Sequence, residues 1–187
     1  MDLLAYMQID DLDGIAKDNG IEVPRLRGYS LMINEEPISQ KEINDEVNEE
    51  AVSICKDLCC ASPFWNVNSR WSTFDDYTER ICNYYMKGIK YENGYVKHTD
   101  IRWDRIHGRK RRVLKFAIKK FKKKIQKQYD MWNKYAGKEN ILYIHARIGG
   151  GNWEYYGGDE LAKQPWFLDK VDDCYDCTYC DIYAALK

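Results

Sequence analysis

Histidine, proline and long apolar runs are scarce in this chain of 187 residues. No stretch approaches the roughly 18 consecutive apolar residues that a membrane-spanning helix needs. The opening residues, Met1 to Leu4, lead into an acidic segment, which is not the pattern of a secretion signal. We therefore expect a cytoplasmic protein that has no membrane partner.

Residue patterns for catalysis are also missing. The three histidines, His98, His107 and His145, are scattered along the chain, and no Gly-x-Ser-x-Gly nucleophile elbow occurs. Sequence spacing places no base beside Cys60, so that thiol is not marked as a nucleophile. The sequence therefore assigns no catalytic residue and favours a protein that is not an enzyme.

The seven cysteines form an odd number without a secretion signal, which favours reduced thiols over a disulfide framework. Cys174, Cys177 and Cys180 have the CxxCxxC spacing that can direct thiolates at zinc or at an iron–sulfur cluster. However, no fourth ligand is evident and no second CxxC exists. The expectation is therefore three thiols without a metal, and no cofactor.

Charge is distributed unevenly along the chain, although the formal net charge is only −1. Residues 102–127 hold 13 of the 29 basic residues and one of the 30 acidic residues, Asp104. The rest of the chain therefore carries 16 basic and 29 acidic residues. Such segregation has two readings: the charges neutralise one another inside the fold, or a basic face is displayed to an anionic partner.

The basic segment is predicted to be a long amphipathic helix from Arg109 to Ala136, with apolar residues along one stripe and Gly137 as its cap. Aromatic residues are few on its polar face, so stacking on single-stranded bases is not predicted. Phosphate groups attract an array of this kind without base-specific contacts. The candidate anion-binding residues are Arg109, Lys110, Arg111, Arg112, Lys115, Lys119, Lys122, Lys123 and Lys127.

A second candidate site follows a predicted strand over residues 141–148. Alternation places His145 and Arg147 on its polar face, and three glycines follow at once. Their backbone amides could point at an anion. Neither the P-loop pattern nor the Rossmann GxGxxG pattern is present, which favours a structural turn. The residues of this candidate anion-binding loop are His145, Arg147, Gly149, Gly150, Gly151 and Asn152.

Apolar periodicity predicts an α+β fold that is mainly helical, with the long basic amphipathic helix, one β-hairpin and a small antiparallel or mixed sheet. The hairpin is predicted around Asn93 and Gly94. Helices are also predicted from the Ser39–Glu42 capping box to Pro63, at about 72–88, at 159–163 and from Pro165 onward. A last strand is expected within 179–186. An acidic helical region, 1–62, and an α+β region, 63–187, are expected to form one compact unit.

The segment from Leu12 to Tyr29 is predicted to be a helical hairpin that turns at Gly20 and restarts near Pro24. The spacing of Ala16, Gly20, Ile21 and Leu26 resembles a degenerate helix-turn-helix, a DNA-binding motif. Many unrelated sequences match this pattern. The ordinary helical hairpin is therefore the favoured interpretation.

Two stretches carry a resemblance to other proteins: "ILYIHARIGGGNWEYYGGDELAKQPWFLDKVDDCYDCTYCDIYA" at 141–184 and "IAKDNGIEVPRLRGYSLM" at 15–32. They resemble uncharacterised small proteins carried by phages and prophages of gut bacteria. Accessory viral proteins of this origin often act as inhibitors of host defence systems, as anti-CRISPR proteins do. The resemblance brings no catalytic residues with it.

The resemblance implies a non-enzymatic phage protein that inhibits a nucleic-acid-dependent defence machine in the host cytoplasm. Its partner would be a host protein or ribonucleoprotein complex, together with nucleic acid in some complexes. Two alternatives stay open at this point. One is a DNA- or RNA-binding protein that uses the basic helix or the degenerate helix-turn-helix. The other is a binder of, or an enzyme for, a small anion or nucleotide at His145, Arg147 and the glycine loop.

Overall fold

The computed structural model describes residues 9–60, 84–87, 90–92, 95–97, 100–148, 157–174 and 178–187. The helices in these ranges are α1 (Ile9–Asp18), α2 (Gln40–Cys60), α3 (Gly108–Tyr135) and α4 (Gly158–Leu161), with a 3-10 turn at Met32–Asn34. The strands are β1 (Leu26–Leu31), β2 (Met86–Lys87), β3 (Lys90–Glu92), β4 (Tyr95–Lys97), β5 (Asp100–Ile101), β6 (Ile141–Ala146), β7 (Phe167–Asp172) and β8 (Cys180–Ala185). This is the predicted α+β fold.

The chain divides into two compact units. The first combines residues 1–39 with 124–187, and the second comprises residues 40–123. The boundary predicted at residue 62 stays a prediction, since residues 61–83 lie outside the described ranges. No helix in those ranges is long and apolar enough to cross a membrane.

A four-stranded antiparallel sheet organises the first unit, with the strand order β1-β6-β8-β7. Side chains alternate between its two faces, as they must in an extended strand. One face carries Leu142 and Ile144 of β6 and Ile182 of β8, which pack with Ala16 and Ile21 from the α1 segment. Burial of this apolar face holds α1 against the sheet.

The opposite face of the sheet packs against the last turns of α3. Tyr135 of α3 stacks on Tyr183 of β8 with ring centroids 4.7 Å apart, and Val171 of β7 joins the same apolar cluster. Gly137 ends the helix with a φ of +73°, a left-handed conformation that glycine adopts without a steric penalty. The predicted helix and its glycine cap are both confirmed.

The second unit contains α2 and the beginning of α3. Val52 and Cys55 of α2 form a buried cluster with Met86, Ile106 and Leu114. The helix predicted after the Ser39–Glu42 capping box is confirmed as α2. The hairpin is also confirmed, because β3 and β4 pair antiparallel on either side of positions 93 and 94.

Two predicted helices are wrong. The chain does not restart a helix near Pro24: Arg25 has a φ of +56°, and residues from Leu26 onward enter β1, which pairs with β6. The helix-turn-helix therefore lacks its second helix. Residues after Pro165 form β7, which pairs with β8. In both cases cross-strand hydrogen bonding overrides the local helical pattern: β1 pairs with the distant strand β6, and β7 pairs with the next strand, β8.

The predicted strand at 141–148 forms as β6 but ends at Ala146. Its alternation is confirmed, since Leu142, Ile144, Ala146 and Ile148 are all buried. The last predicted strand forms as β8. Of the helix predicted at 72–88, positions 72–83 and 88 lie outside the described residues; Tyr84 and Tyr85 are helical, and Met86 begins β2. The short helix predicted at 159–163 forms as α4.

Candidate functional site

Most of the basic residues of α3 lie on the sides of the helix that face away from its buried stripe. Leu114 and Phe121 point into the core, and a rotation of 100° per residue places position 116 on the far side. We call the cations on this part of the helix the basic face. Its exposed members within the second unit are Arg109, Lys110, Arg112, Lys115, Lys119, Lys120, Lys122 and Lys123. Arg111 is half-buried, and Lys127, which is exposed, belongs to the first unit.

Carboxylates in the described part of the chain do not neutralise the basic face. The lysines that form ion pairs there are Lys17, Lys41, Lys134, Lys163 and Lys170. None of them lies between Arg109 and Lys123. Self-neutralisation by the acidic segments, one of the two readings of the charge pattern, is therefore not found among the described residues.

Aromatic rings of the second unit hold two of these cations instead. Lys110 donates a hydrogen bond of 3.3 Å to the Tyr85 hydroxyl, and its ammonium lies 5.1 Å from the centre of that ring. The Lys115 ammonium lies 5.9 Å from the Trp103 ring centre. Cation–π contacts of this kind leave the charge available to solvent and to a partner.

The basic face also carries an exposed aromatic ring, which the sequence pattern did not predict. The Phe116 side chain is 69% exposed, and the neighbouring Val113 is 42% exposed. By helical geometry Phe116 lies between Arg112, four positions before it, and Lys119, three positions after it. The ring therefore presents a flat apolar surface beside these cations.

A different arrangement surrounds Asp181, in the middle of the sheet of the first unit. The residue is 1% exposed, and it is the one buried charged residue among those described. Oδ1 accepts a hydrogen bond from the Tyr143 hydroxyl at 2.8 Å, and Oδ2 accepts one from the Gln128 amide at 2.9 Å. A buried charge is tolerated when it is hydrogen-bonded in this way.

His145 is the third partner of this carboxylate. Its Nδ1 lies 2.8 Å from Oδ1 of Asp181, and an ionised carboxylate only accepts, so Nδ1 donates. Pairing in β6 and β8 sets this geometry, because His145 lies directly opposite Asp181 in the register. The imidazole ring also stacks on Tyr179, with centroids 5.1 Å apart. His145 is therefore oriented on both sides by its neighbours.

Two hydroxyl groups on the same face of the sheet as Asp181, and one thiol on the opposite face, are held in their neutral forms. Burial, reinforced by the negative charge of Asp181, raises the pKa of Tyr143 far above its ordinary value near 10. Burial raises the pKa of Tyr183 as well. Burial also raises the pKa of the Cys180 thiol to about 12. Around neutral pH these groups add no negative charge to that of Asp181.

Asp181 also lines a cavity of about 240 Å³. The other lining residues are Ile38, Gln128, Tyr129, Trp132, Tyr143 and Tyr183. The chain segment at Ile38 is fixed by Asn133, whose side-chain oxygen accepts from the Ile38 amide at 2.7 Å and whose nitrogen donates to the Ile38 carbonyl at 2.8 Å. The Trp132 indole donates to the Glu36 carbonyl at 3.1 Å. The cavity is therefore formed by restrained groups.

Only part of the candidate anion-binding loop lies within the described residues. Arg147 lies exposed in the turn after β6, and its backbone amide donates to the Arg25 carbonyl at 3.1 Å. Gly149, Gly150, Gly151 and Asn152 lie outside the described residues, so the predicted anion corner stays a prediction. Cys174 and Cys180 are buried, and Cys177 lies outside the described residues. In the described ranges, no three His, Cys, Asp or Glu residues are grouped as metal ligands.

Asp181 and Gln128 are polar residues that the sequence pattern did not single out. A signal was present, since Asp181 is the lone acid within "YCDIYAAL", an otherwise apolar strand. A charged residue in a buried strand requires partners. Gln128 is one of many polar residues of α3, and the sequence pattern does not distinguish it from the others.

Comparison with known proteins identifies no relative. The chain matches no protein family, no curated protein and no solved structure.

Proposed function

We propose that the protein binds nucleic acid through the basic face of α3. The observation that carries this proposal is that the cations between Arg109 and Lys123, apart from the half-buried Arg111, are exposed to solvent without carboxylate partners among the described residues. A row of such cations on a helix matches the spaced phosphates of a nucleic-acid strand. Binding of this kind is largely independent of base sequence.

Phe116 supports nucleic acid over other polyanions. Its exposed ring lies among cations, and aromatic side chains on basic surfaces stack on unpaired bases. A simple polyanion such as heparin or polyphosphate offers no flat apolar surface to this ring. Single-stranded DNA or RNA therefore fits the basic face better than a polyanion without bases.

The wider role that the phage resemblance implies is part of the same proposal. A protein that holds nucleic acid on one helix could act stoichiometrically against a host defence machine that works on nucleic acid. Inhibition would then saturate near molar equivalence with the target. Substoichiometric inactivation of the target would contradict this role.

The direct test is equilibrium binding of labelled single-stranded and duplex oligonucleotides, followed by fluorescence anisotropy. Replacing Lys119, Lys120 and Lys123 with glutamine should weaken binding at least tenfold at low salt, because three counterion-releasing contacts are lost. These side chains are exposed, so the fold should be unaffected.

A matched control separates a local site from bulk charge. Lys17, Lys41 and Lys163 are exposed lysines outside α3, and replacing them with glutamine removes the same three charges. The control variant should bind nucleic acid within about twofold of the parent protein, since these lysines lie outside the basic face. Equal losses in the two variants, or no loss in either, would contradict binding by the basic face.

A further inference from the structure

A separate binding site is indicated in the first unit, at the cavity beside Asp181. We propose that this cavity binds a small organic cation that carries N–H donors, such as an alkylguanidinium or alkylammonium group. The inference is independent of nucleic-acid binding, because it rests on other residues. Its basis is the combination of a buried carboxylate, aromatic walls and an unsatisfied acceptor around one partly open pocket.

The sign of the ligand's charge follows from the carboxylate. Asp181 lines the cavity, and the two hydrogen-bond partners that line it as well, Tyr143 and Gln128, are uncharged donors; His145 pairs with Oδ1 from outside the lining. An anion in the cavity would be repelled by Asp181 at short range, and a neutral apolar ligand would gain no attraction from the carboxylate. A cation lowers the electrostatic energy of the buried carboxylate.

The walls of the cavity fit the same chemistry. Four of its lining residues are aromatic: Tyr129, Trp132, Tyr143 and Tyr183. The Trp132 and Tyr143 rings meet at 75° with centroids 5.2 Å apart, so they form walls at an angle to one another. Aromatic faces attract cations through their quadrupoles, and boxes of such rings recognise ligand ammonium groups.

Hydrogen-bond acceptors at the cavity favour a cation with N–H groups. Oδ2 of Asp181 accepts one hydrogen bond, from Gln128, and a carboxylate oxygen can accept two. Oε1 of Gln128 is buried, and no donor among the described residues reaches it. A buried acceptor without a donor destabilises the folded state, and an N–H group that reaches it would remove that penalty.

The size of the cavity limits the ligand. A volume of about 240 Å³ accommodates a guanidinium or ammonium group with a short alkyl chain. Because Asn133 and Trp132 restrain the Glu36–Ile38 segment, little ordering is needed when the ligand binds.

The test compares two isosteric probes, N-methylguanidinium and N-methylurea, by microcalorimetry and saturation-transfer NMR on the full-length protein. The cation should bind saturably and at least tenfold more tightly than the neutral urea. Tetramethylammonium, which has the charge but lacks N–H donors, should bind more weakly than N-methylguanidinium. Equal affinity for the cation and the urea, or no saturable binding of either, would overturn the site. Tetramethylammonium binding as tightly as N-methylguanidinium would overturn the assignment of an N–H donor.

Variants locate the site. Asp181→Asn preserves the shape of the side chain and should weaken the binding of N-methylguanidinium at least tenfold. The matched control is Asp169→Asn, since Asp169 lies on β7 of the same sheet and does not line the cavity. An equal loss in both variants would overturn the proposal. If Asp181→Asn fails to fold, Tyr129→Leu replaces it, and the same tenfold comparison with Asp169→Asn decides.

Discussion

The two units treat charge in opposite ways. In the first unit a single carboxylate, Asp181, is buried and receives hydrogen bonds from Tyr143, Gln128 and His145. In the second unit the cations of the basic face are exposed, and no described carboxylate pairs with them. The buried charge is stabilised by fixed dipoles within the protein, whereas the exposed charges are stabilised by water and by mobile ions.

This difference separates stability from recognition. Water is a good solvent for an exposed ammonium, so the basic face contributes little to folding and leaves its charge for a partner. A carboxylate removed from water must be solvated by the fold itself, so its partners become part of the stability of the protein. Substitutions in the two places should therefore affect different measurements.

The largest expected effect on stability is that of Asp181→Ala. It leaves the donors on Tyr143, Gln128 and His145 without an acceptor inside the sheet and should cost about 3 kcal/mol of unfolding free energy. The Lys119, Lys120 and Lys123 triple glutamine variant should stay within about 0.5 kcal/mol of the parent. Urea unfolding followed by circular dichroism measures both. A triple variant that is destabilised as much as Asp181→Ala would contradict the proposed difference between the buried charge and the exposed charges.

The second-largest effect on stability is expected at alkaline pH, through the buried tyrosines near Asp181. Burial holds the pKa values of Tyr143 and Tyr183 above their ordinary value, whereas the unfolded chain loses those protons near pH 10. Above pH 10 the unfolded state therefore binds fewer protons, and the free energy of unfolding falls as pH rises. The Cys180 thiol adds to this fall between about pH 9 and its raised pKa of about 12.

Tyr143→Phe isolates one contribution to the fall of the unfolding free energy with rising pH. Because each such group contributes up to about 1.4 kcal/mol per pH unit, the variant should lose stability less steeply between pH 10 and 11.5. Tyr84, which is 52% exposed in the second unit, provides the control Tyr84→Phe, whose slope should match that of the parent. A parent protein whose unfolding free energy stays level from pH 9 to 11.5 would contradict the description of these tyrosines as buried and neutral.

The smallest expected effect sharpens the description of the basic face. Phe116→Ala should weaken binding of single-stranded oligonucleotides about fivefold or more, because one base loses its stacking partner. Duplex binding should change less than twofold, since paired bases are not available for stacking. Competition between the two oligonucleotide forms for the same protein gives the ratio directly. A Phe116→Ala variant that binds both forms as the parent does would confine the basic face to phosphate contacts.

Local pattern was sufficient for the elements whose own residues determine them. The apolar spacing of Leu114, Phe121 and Ile125 together with Gly137 predicts α3, and the alternation of Leu142 and Ile144 predicts β6. By contrast, β1 and β7 are edge strands with register irregularities near Gly28 and Asp169. The structure of β1 depends on pairing with β6, which lies far along the chain, and that of β7 depends on pairing with β8 rather than on its own residue pattern.

The two candidate sites also differ in how far the sequence predicts them. Exposure of the basic face follows from helical periodicity, so its residues could be predicted from the sequence. The neighbours of Asp181 could not be predicted, because Gln128 comes from a helix 53 positions away and Tyr143 from a strand 38 positions away. Only the register of β6 with β8 and the packing of α3 on the sheet bring these side chains together.

The salt dependence of nucleic-acid affinity tests the central claim most directly. The slope of the logarithm of affinity against the logarithm of salt concentration reports the number of phosphates that the protein neutralises, at about 0.9 per contact on duplex DNA. Replacing Lys119, Lys120 and Lys123 with glutamine should reduce that slope by about 2 to 3, while the Lys17, Lys41 and Lys163 control keeps the slope of the parent. A slope that is the same in all three proteins would contradict the assignment of the basic face as the nucleic-acid-binding surface.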